Sequence, residues 1–243
     1  MKYLSFLIVS IFFFSACQSG NDSSSSQSEL SNPKKNYPNA DSIKIDLKKS
    51  IATWIGSKPT GQHDGTFEFS SGYLLFSEKK IVGGEILIDI SSLKVMDIED
   101  QESSEKLARH LLSDDFFSSS AFPEGSFRFN SVKEFDSTYT FKNKVEFPSK
   151  FKPASESSFI VTNPNYVVTG YLKLKGVEKT ISFPAKIDVM ENKIIAEAKF
   201  NLDRILWGLS YNDESSILDK AKDKFIYNTV NVGFYVEAPI SDN

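Results

Sequence analysis

From about Asp41 the chain is dominated by apolar residues that recur at every second position. The cleanest run is Thr180 to Val189. Ile181, Phe183, Ala185, Ile187 and Val189 fall on one side, and Thr180, Ser182, Pro184, Lys186 and Asp188 on the other. Ile194, Ala196, Ala198, Phe200 and Leu202 repeat the pattern, as do Val230, Val232, Phe234 and Val236. Ser42 to Leu47, Ser50 to Lys58, Thr66 to Phe69, Tyr73 to Phe76, Ile81 to Ile90 and the stretch around Phe127 and Phe129 read as further strands. Many half-buried strands at short spacing predict an all-β fold, an antiparallel sandwich or barrel; periodicity alone does not choose between them. Pro184 lacks a ladder donor and therefore predicts an edge or a bulge at that point.

Three stretches break the pattern. In KLARHLLSDDFFSSSAFP, from Lys106 to Pro123, Leu107, Leu111 and Leu112 have helical spacing, which predicts a short helical insert over about 103–117. Ser113 is expected to N-cap a second turn holding Asp114 to Phe117, and Phe122-Pro123 to end it. Such a Phe-rich insert suits a plug over the end of a sheet or barrel. Asp136 to Pro164, with Pro148 and Pro153 inside it, predicts an excursion from one end of the sheet. Asp203 to Ser215 brings Arg204, Trp207 and Tyr211 into a second irregular segment. The chain has two histidines. His110 lies in the helical insert and His63 in TWIGSKPTGQHDG, Thr53 to Gly65, and these two stretches are expected to meet in space.

The first forty residues have a different character. Residues 1–16 carry one charge, Lys2, then an apolar run from Phe6 to Phe14, then Ser15-Ala16 before Cys17. The run is short for a membrane span and fits a signal peptide. The small-small-Cys ending resembles a lipobox, which implies acylation of Cys17 and a bacterial lipoprotein. Several acyl chains would anchor it firmly, at about 0.8 kcal/mol per buried methylene. Gln18 after the cysteine is similar to outer-membrane lipoproteins, so the expected location is the cell envelope, at the outer membrane facing the periplasm. Residues 17–40 are rich in Ser and Asn and nearly free of apolar side chains, which predicts a disordered tether. The folded domain is expected over 41–240.

Composition narrows the function. Removal of residues 1–16 takes the formal charge from −4 to −5, since Lys2 is the one charged residue lost. Basic residues come in pairs and not in long runs, which argues against a nucleic-acid partner. The single cysteine excludes an intrachain disulfide. The 21 phenylalanines are a heavy load for 243 residues and suit strands and apolar cavities.

Read together, several stretches resemble the YceI-like family of polyisoprenoid-binding proteins. They are Trp54-x-Gly56-x-Lys58-x-x-Gly61-x-His63-x-Gly65 and Gly84-x-Ile86-x-Ile88-Asp89-Ile90, then the insert with Leu107, His110-Leu111, Ser113, Asp115-Phe116-Phe117 and Phe122-Pro123. Gly170-Tyr171-Leu172-x-Leu174-Lys175-Gly176-Val177 and Asp203-Arg204-x-x-Trp207-Gly208 complete the set, which spans about Ser42 to Ala238. The resemblance implies an extended antiparallel lipocalin-like β-barrel of about eight strands. Its pore would hold a long isoprenoid chain of the polyprenyl or isoprenoid-quinone type, carried or stored without catalysis and with no other cofactor. The Asp136 to Pro164 segment is longer than the family's usual connection, which bears on the shape of one barrel mouth. Pairing of barrels into a homodimer stays open.

A polyprenyl ligand needs an apolar lumen and a polar anchor at its mouth. The candidate anchor residues are His63, His110, Asp115, Arg204 and Trp207, with Trp54, Phe116 and Phe117 as ligand wall. A histidine can donate to a quinone carbonyl or a phosphate, and an arginine suits phosphate. Each also has a purely structural alternative: a turn closed by His63, a helix packed by His110, a cap made by Asp115, an ion pair made by Arg204, core packing by the tryptophans. Three rival functions are weighed. In one, His63 and His110 bind a metal with Asp64 or Asp115. In another, a His-Asp pair serves a hydrolase, although no serine sits in a nucleophile elbow. In the third, the lipoprotein binds other proteins through Asp136 to Pro164.

Overall fold

The computed structural model describes residues 33–136, 138–140, 151–155, 158–215 and 225–240. The signal segment, Cys17, the tether through Asn32 and part of the Asp136 to Pro164 excursion lie outside the described residues.

The strands are β1 Asp41–Lys44, β2 Ile51–Lys58, β3 Gly61–Ser77, β4 Lys80–Val95, β5 Glu124–Glu134, β6 Tyr166–Leu174, β7 Val177–Val189, β8 Lys193–Asp203 and β9 Thr229–Pro239. Helix α1 is a single turn at Pro33–Asn36, α2 spans Gln101–Leu112, and a 3₁₀ turn, Arg204–Trp207, follows β8. Strands β2 to β9 pair antiparallel in chain order, and β9 pairs back onto β2, which closes an eight-stranded barrel. Strand β1 is extra. It continues the line of β2 along β3, whose first half pairs with β2 and whose second half pairs with β1. Closure pairs every strand of the barrel on both sides for at least part of its length, and eight strands enclose about enough width for side chains or one slender ligand.

The two short strands expected at Thr66 to Phe69 and Tyr73 to Phe76 are one strand. Its pairing with β4 shifts register between Thr66 and Glu68, between Phe69 and Ser71 and between Leu75 and Phe76. Such bulges bend a strand without ending it, and they interrupt the period of two that the sequence displays. The chain also meets the barrel earlier than composition suggests. Pro33 is buried, Tyr37 donates its hydroxyl to the carbonyl of Asn130 at 3.3 Å, and the Lys34 ammonium lies 4.4 Å from the centre of the Tyr73 ring.

Helix α2 starts two residues ahead of the insert expected from about 103, because Asp100 is the N-cap and its carboxylate accepts from the Ser103 N–H at 2.8 Å. Ser113 is followed by a turn and not by a second helix. It closes α2, its Oγ donating to the His110 carbonyl at 2.7 Å, and residues 114–117 form a turn. The same oxygen also accepts from the Asp115 N–H at 3.4 Å, so one hydroxyl serves both the end of α2 and the turn after it. The partly buried face of α2, carrying Leu107, Ala108, Leu111 and Leu112, packs with Phe117 on a cluster of Trp54, Phe67, Ile90, Leu93 and Val95.

The barrel interior is not uniform. At the end away from α2 it is solid: Leu74, Ile81, Ile194, Val236 and Ala238 are buried there. Phe183, fully buried, stacks on Phe200 with ring centroids 4.1 Å apart and closes off that packed half.

The wall has one weak seam, and Pro184 marks it. The β7–β8 ladder runs only from Ala185↔Ala198 to Val189↔Ile194. On their outer sides β7 pairs with β6 as far as Val177, and β8 pairs with β9 as far as Asp203. The Ala185 carbonyl accepts from Asn165 on the β6 side, so by alternation Pro184 and Ser182 face β8. Pro184 has no N–H to offer there, and the two strands part. Tyr139 donates its hydroxyl to the freed Ser182 carbonyl at 3.1 Å. On the other lip, the side-chain amides of Asn201 and Asn231 donate to the Ala154 carbonyl at 3.1 and 3.0 Å. The two described flanks of the excursion therefore dock on opposite lips of the gap.

Candidate functional site

Above the Phe183–Phe200 stack the barrel is hollow, with a cavity of about 380 Å³. Inward-facing residues of the strands wall it, among them Phe67, Ile88, Phe127, Leu172 and Val232, and α2 contributes Leu107, His110 and Leu111. The wall is overwhelmingly apolar for the reason legible in the alternation: one side of most strands carries Phe, Ile, Leu or Val, and β2 contributes Ala52 and Trp54. The cavity ends where those side chains grow large enough to meet across the axis.

The cap over the mouth is aromatic. His110 packs edge-on to Tyr211 and to Phe116, with ring centroids 4.9 and 5.3 Å apart, and Phe116 lies 5.2 Å from Tyr211. Phe117 meets Phe67 edge-on at 5.5 Å. The Lys175 ammonium ties the rim together by donating to the carbonyls of Asp114 and Gly208.

Both histidines line this one cavity, so the two stretches that carry them do meet. Each is held by its own carboxylate. His63 Nδ1 lies 2.9 Å from Asp97 Oδ2, and His110 Nε2 lies 2.9 Å from Asp115 Oδ2. Asp97 also accepts from the Asp64 N–H at 3.1 Å. Burial would raise the Asp97 carboxyl, but the hydrogen bonds from His63 and from the Asp64 amide outweigh it and hold the group below its usual value. Among the described residues no group of three His, Cys, Asp or Glu side chains could hold a metal ion, so the metal reading gains no support.

The remaining candidates divide. Trp54, Phe116, Phe117 and Trp207 line the cavity. Asp115 does not reach the wall and acts on it through His110. Arg204 lines the cavity yet is not free to hold a phosphate. Its guanidinium is buried and donates to the carbonyls of Tyr227, Leu209, Tyr211 and Ile226. Burial lowers its pKa, opposed by the charges of Asp213, Asp203 and Glu214. Trp207 donates its indole N–H to the Leu172 carbonyl at 3.0 Å. Both hold the Asp203 to Ser215 segment in place.

Two residues with unsatisfied polar atoms complete the wall. Trp54 Nε1 and Ser57 Oγ are buried with no hydrogen-bond partner among the described residues, and both residues border the cavity. The Trp54 indole packs against Gly65, its register partner on β3, where a Cβ would stand 2.6 Å from the ring and 1.9 Å from the Lys94 carbonyl. That close approach explains the glycine two residues after His63. Ser57 and Asp97 were not singled out by the sequence. Serine in a strand carries no signal of its own, and Asp97 meets His63 only through the β3–β4 pairing.

A family model, the YceI-like domain, matches residues 43–238. A search of the curated protein sequences finds no match. Among solved structures, BcnA of Burkholderia cenocepacia is similar, with a TM-score of 0.55 at 16% identity over 80% of this chain and 99% of that one. A polyisoprenoid-binding domain from Saccharophagus degradans, implicated in plant cell wall breakdown, gives 0.51 at 14% identity, over 82% of this chain and 98% of that one. At such identities these likenesses concern the fold, and they agree with a closed antiparallel barrel. With its domain model matched across almost the whole barrel, the chain belongs to the YceI-like family.

Proposed function

We propose that this protein binds and carries a long-chain isoprenoid lipid in the barrel cavity and does no chemistry on it. The observation that carries this reading is the cavity itself, hollow, apolar, closed at one end by packed side chains and at the other by an aromatic cap. The similarity to a polyisoprenoid-binding domain supports it. Each methylene that leaves water contributes about 0.8 kcal/mol. A lipid that starts in a bilayer gains little of this, so fit and headgroup contacts set the affinity, as suits a carrier or reservoir.

The headgroup chemistry follows from what is unspent. Four of the five N–H groups of Arg204 are held by backbone carbonyls, and each cavity histidine is paired with an aspartate. Lys58 borders the cavity without an ion pair among the described residues, but it is an exposed residue at the end of β2, and a phosphate drawn deeper, among the apolar walls, would be costly to desolvate. Trp54 Nε1 and Ser57 Oγ instead offer neutral donors, which suit the carbonyl of an isoprenoid quinone or the hydroxyl of a polyprenol. Acylation at Cys17 would place the barrel at a membrane surface, facing the periplasm from the outer membrane.

The test is mass spectrometry of an organic extract of the protein purified from its own envelope, paired with transfer from liposomes loaded with a ubiquinone or a polyprenol. A bound isoprenoid, and uptake that saturates at one lipid per barrel, are expected. An extract without isoprenoid together with no uptake from either liposome overturns the reading.

A further inference from the structure

We infer that the opening between β7 and β8 leads to a second ligand compartment, which takes the far end of an isoprenoid chain too long for the lumen. This rests on the reading of the lumen as an isoprenoid site. Outside the barrel wall, where the two strands part, lies a second cavity of about 790 Å³. It shares Ile181, Phe200, Leu202 and Trp207 with the lumen, so the same side chains wall both spaces at the seam.

The axial route is closed. Phe183 stacked on Phe200 ends the hollow part, and the barrel below it is filled. The lumen alone is near the small end of the roughly 300–1,000 Å³ that drug-sized ligands occupy, and a long polyisoprenoid is larger than such ligands. A chain that enters at the α2 mouth and reaches the stack must therefore bend. Sideways between Ile181 and Leu202 the wall has no ladder to cross.

What lies beyond the seam is suited to hydrocarbon at its floor and to water at its rim. Pro153 and Leu206 border it, and Leu206 is 51% exposed, a large apolar side chain with nothing over it among the described residues. Thr180, Ser182 and Asn201 form the lips. Lys152, Lys179 and Asp203 border it as well, so charge lies at this rim, and it is the apolar floor that would take the tail of the chain while its head remains near Trp54.

Two neutral isoprenoid alcohols, geranylgeraniol as the short chain and solanesol as the long one, separate the compartments. Thr180→Trp places an indole in the side compartment from an exposed position on β7. The variant is expected to hold geranylgeraniol within about twofold of the wild-type affinity and to lose about tenfold or more for solanesol. Unchanged solanesol binding in this variant overturns the proposal. Because a bulky substitution could harm the fold, wild-type protein is also loaded with a solanesol analogue carrying a diazirine at the chain terminus. Adducts on Thr180, Ser182, Asn201 or Leu206 are expected, and adducts confined to the α2 mouth overturn it. If wild-type protein binds neither alcohol, the isoprenoid reading itself has failed, an outcome distinct from either of these.

Discussion

Arg204 donates its Nε–H to the carbonyl of Tyr227 at 3.1 Å, across the gap between the 3₁₀ turn and the approach to β9. With its other nitrogens on Leu209, Tyr211 and Ile226, the side chain serves as the hub of a loop that would otherwise bury its carbonyls unpaired. Arg204→Met removes every one of these donors while keeping the apolar stem. Each buried carbonyl left unsatisfied costs roughly 1–3 kcal/mol. A lower thermal midpoint is expected, by about 2–4 °C for each kcal/mol in a domain of this size. Lipid held by the protein that remains folded should match wild type. If lipid is lost while the midpoint stays put, Arg204 is a ligand anchor and the hub reading is wrong.

The His63–Asp97 pair gives the fold an acid-sensitive contact. The Asp97 carboxyl sits below its usual value in the folded protein, so the unfolded chain, with an aspartate near ~3.9, binds the proton more readily. The contribution to stability is therefore complete above that unfolded value and is lost as pH falls through the lower folded one. Asp97→Asn keeps an acceptor for the Asp64 amide and removes the titration. Its denaturation free energy, measured against pH, should fall less steeply than wild type below about pH 4. Parallel curves for the two proteins would show that the pair contributes nothing.

How much of this could be read beforehand depends on whether a signal was local. Alternation along Thr180 to Val189 gave the inward face of β7, and Pro184 gave the place where its ladder stops, because both are properties of single strands. The two histidine segments converge because both lie at the same end of the barrel. Arg204 looked like an anchor for phosphate because a charged side chain beside a tryptophan suggests a ligand. Its carbonyl partners on Tyr227 and Ile226 lie more than twenty residues on and leave no mark in the pattern. Ser113 was legible by half: its hydroxyl bonds in both directions, to the His110 carbonyl and from the Asp115 N–H, and nothing in the local pattern says that the first of these ends α2. The bulges of β3 hid a single long strand behind a broken period.

Gly65 tests the packing behind the mouth. An alanine there would press its Cβ into the Lys94 carbonyl and the Trp54 ring, and the carbonyl belongs to the paired strand β4 and cannot swing away. Overpacking of this kind costs about 1–3 kcal/mol, and a backbone clash puts Gly65→Ala at the upper part of that range or beyond it. Chemical denaturation reads the loss, and a shift in tryptophan emission reports that the indole has moved. A variant as stable as wild type, with unchanged emission, would mean that the strands can separate freely here.

Trp54 decides between a headgroup inside the barrel and one at its rim. Its Nε1–H is buried without a partner among the described residues, so Trp54→Phe forfeits some packing but breaks no hydrogen bond there. If a ligand acceptor is what that donor awaits, the loss falls on binding. A net hydrogen bond contributes roughly 0.5–1.5 kcal/mol, which amounts to about a twofold to tenfold loss of affinity. A ubiquinone should show this loss, whereas squalene, an isoprenoid hydrocarbon with no polar head, should bind the variant and the wild type alike once any packing change is shared. Equilibrium binding of both lipids to both proteins gives the comparison directly. Equal losses for squalene and ubiquinone would mean that the indole acts only as a wall and that the head lies elsewhere, toward His110 and Tyr211 at the cap.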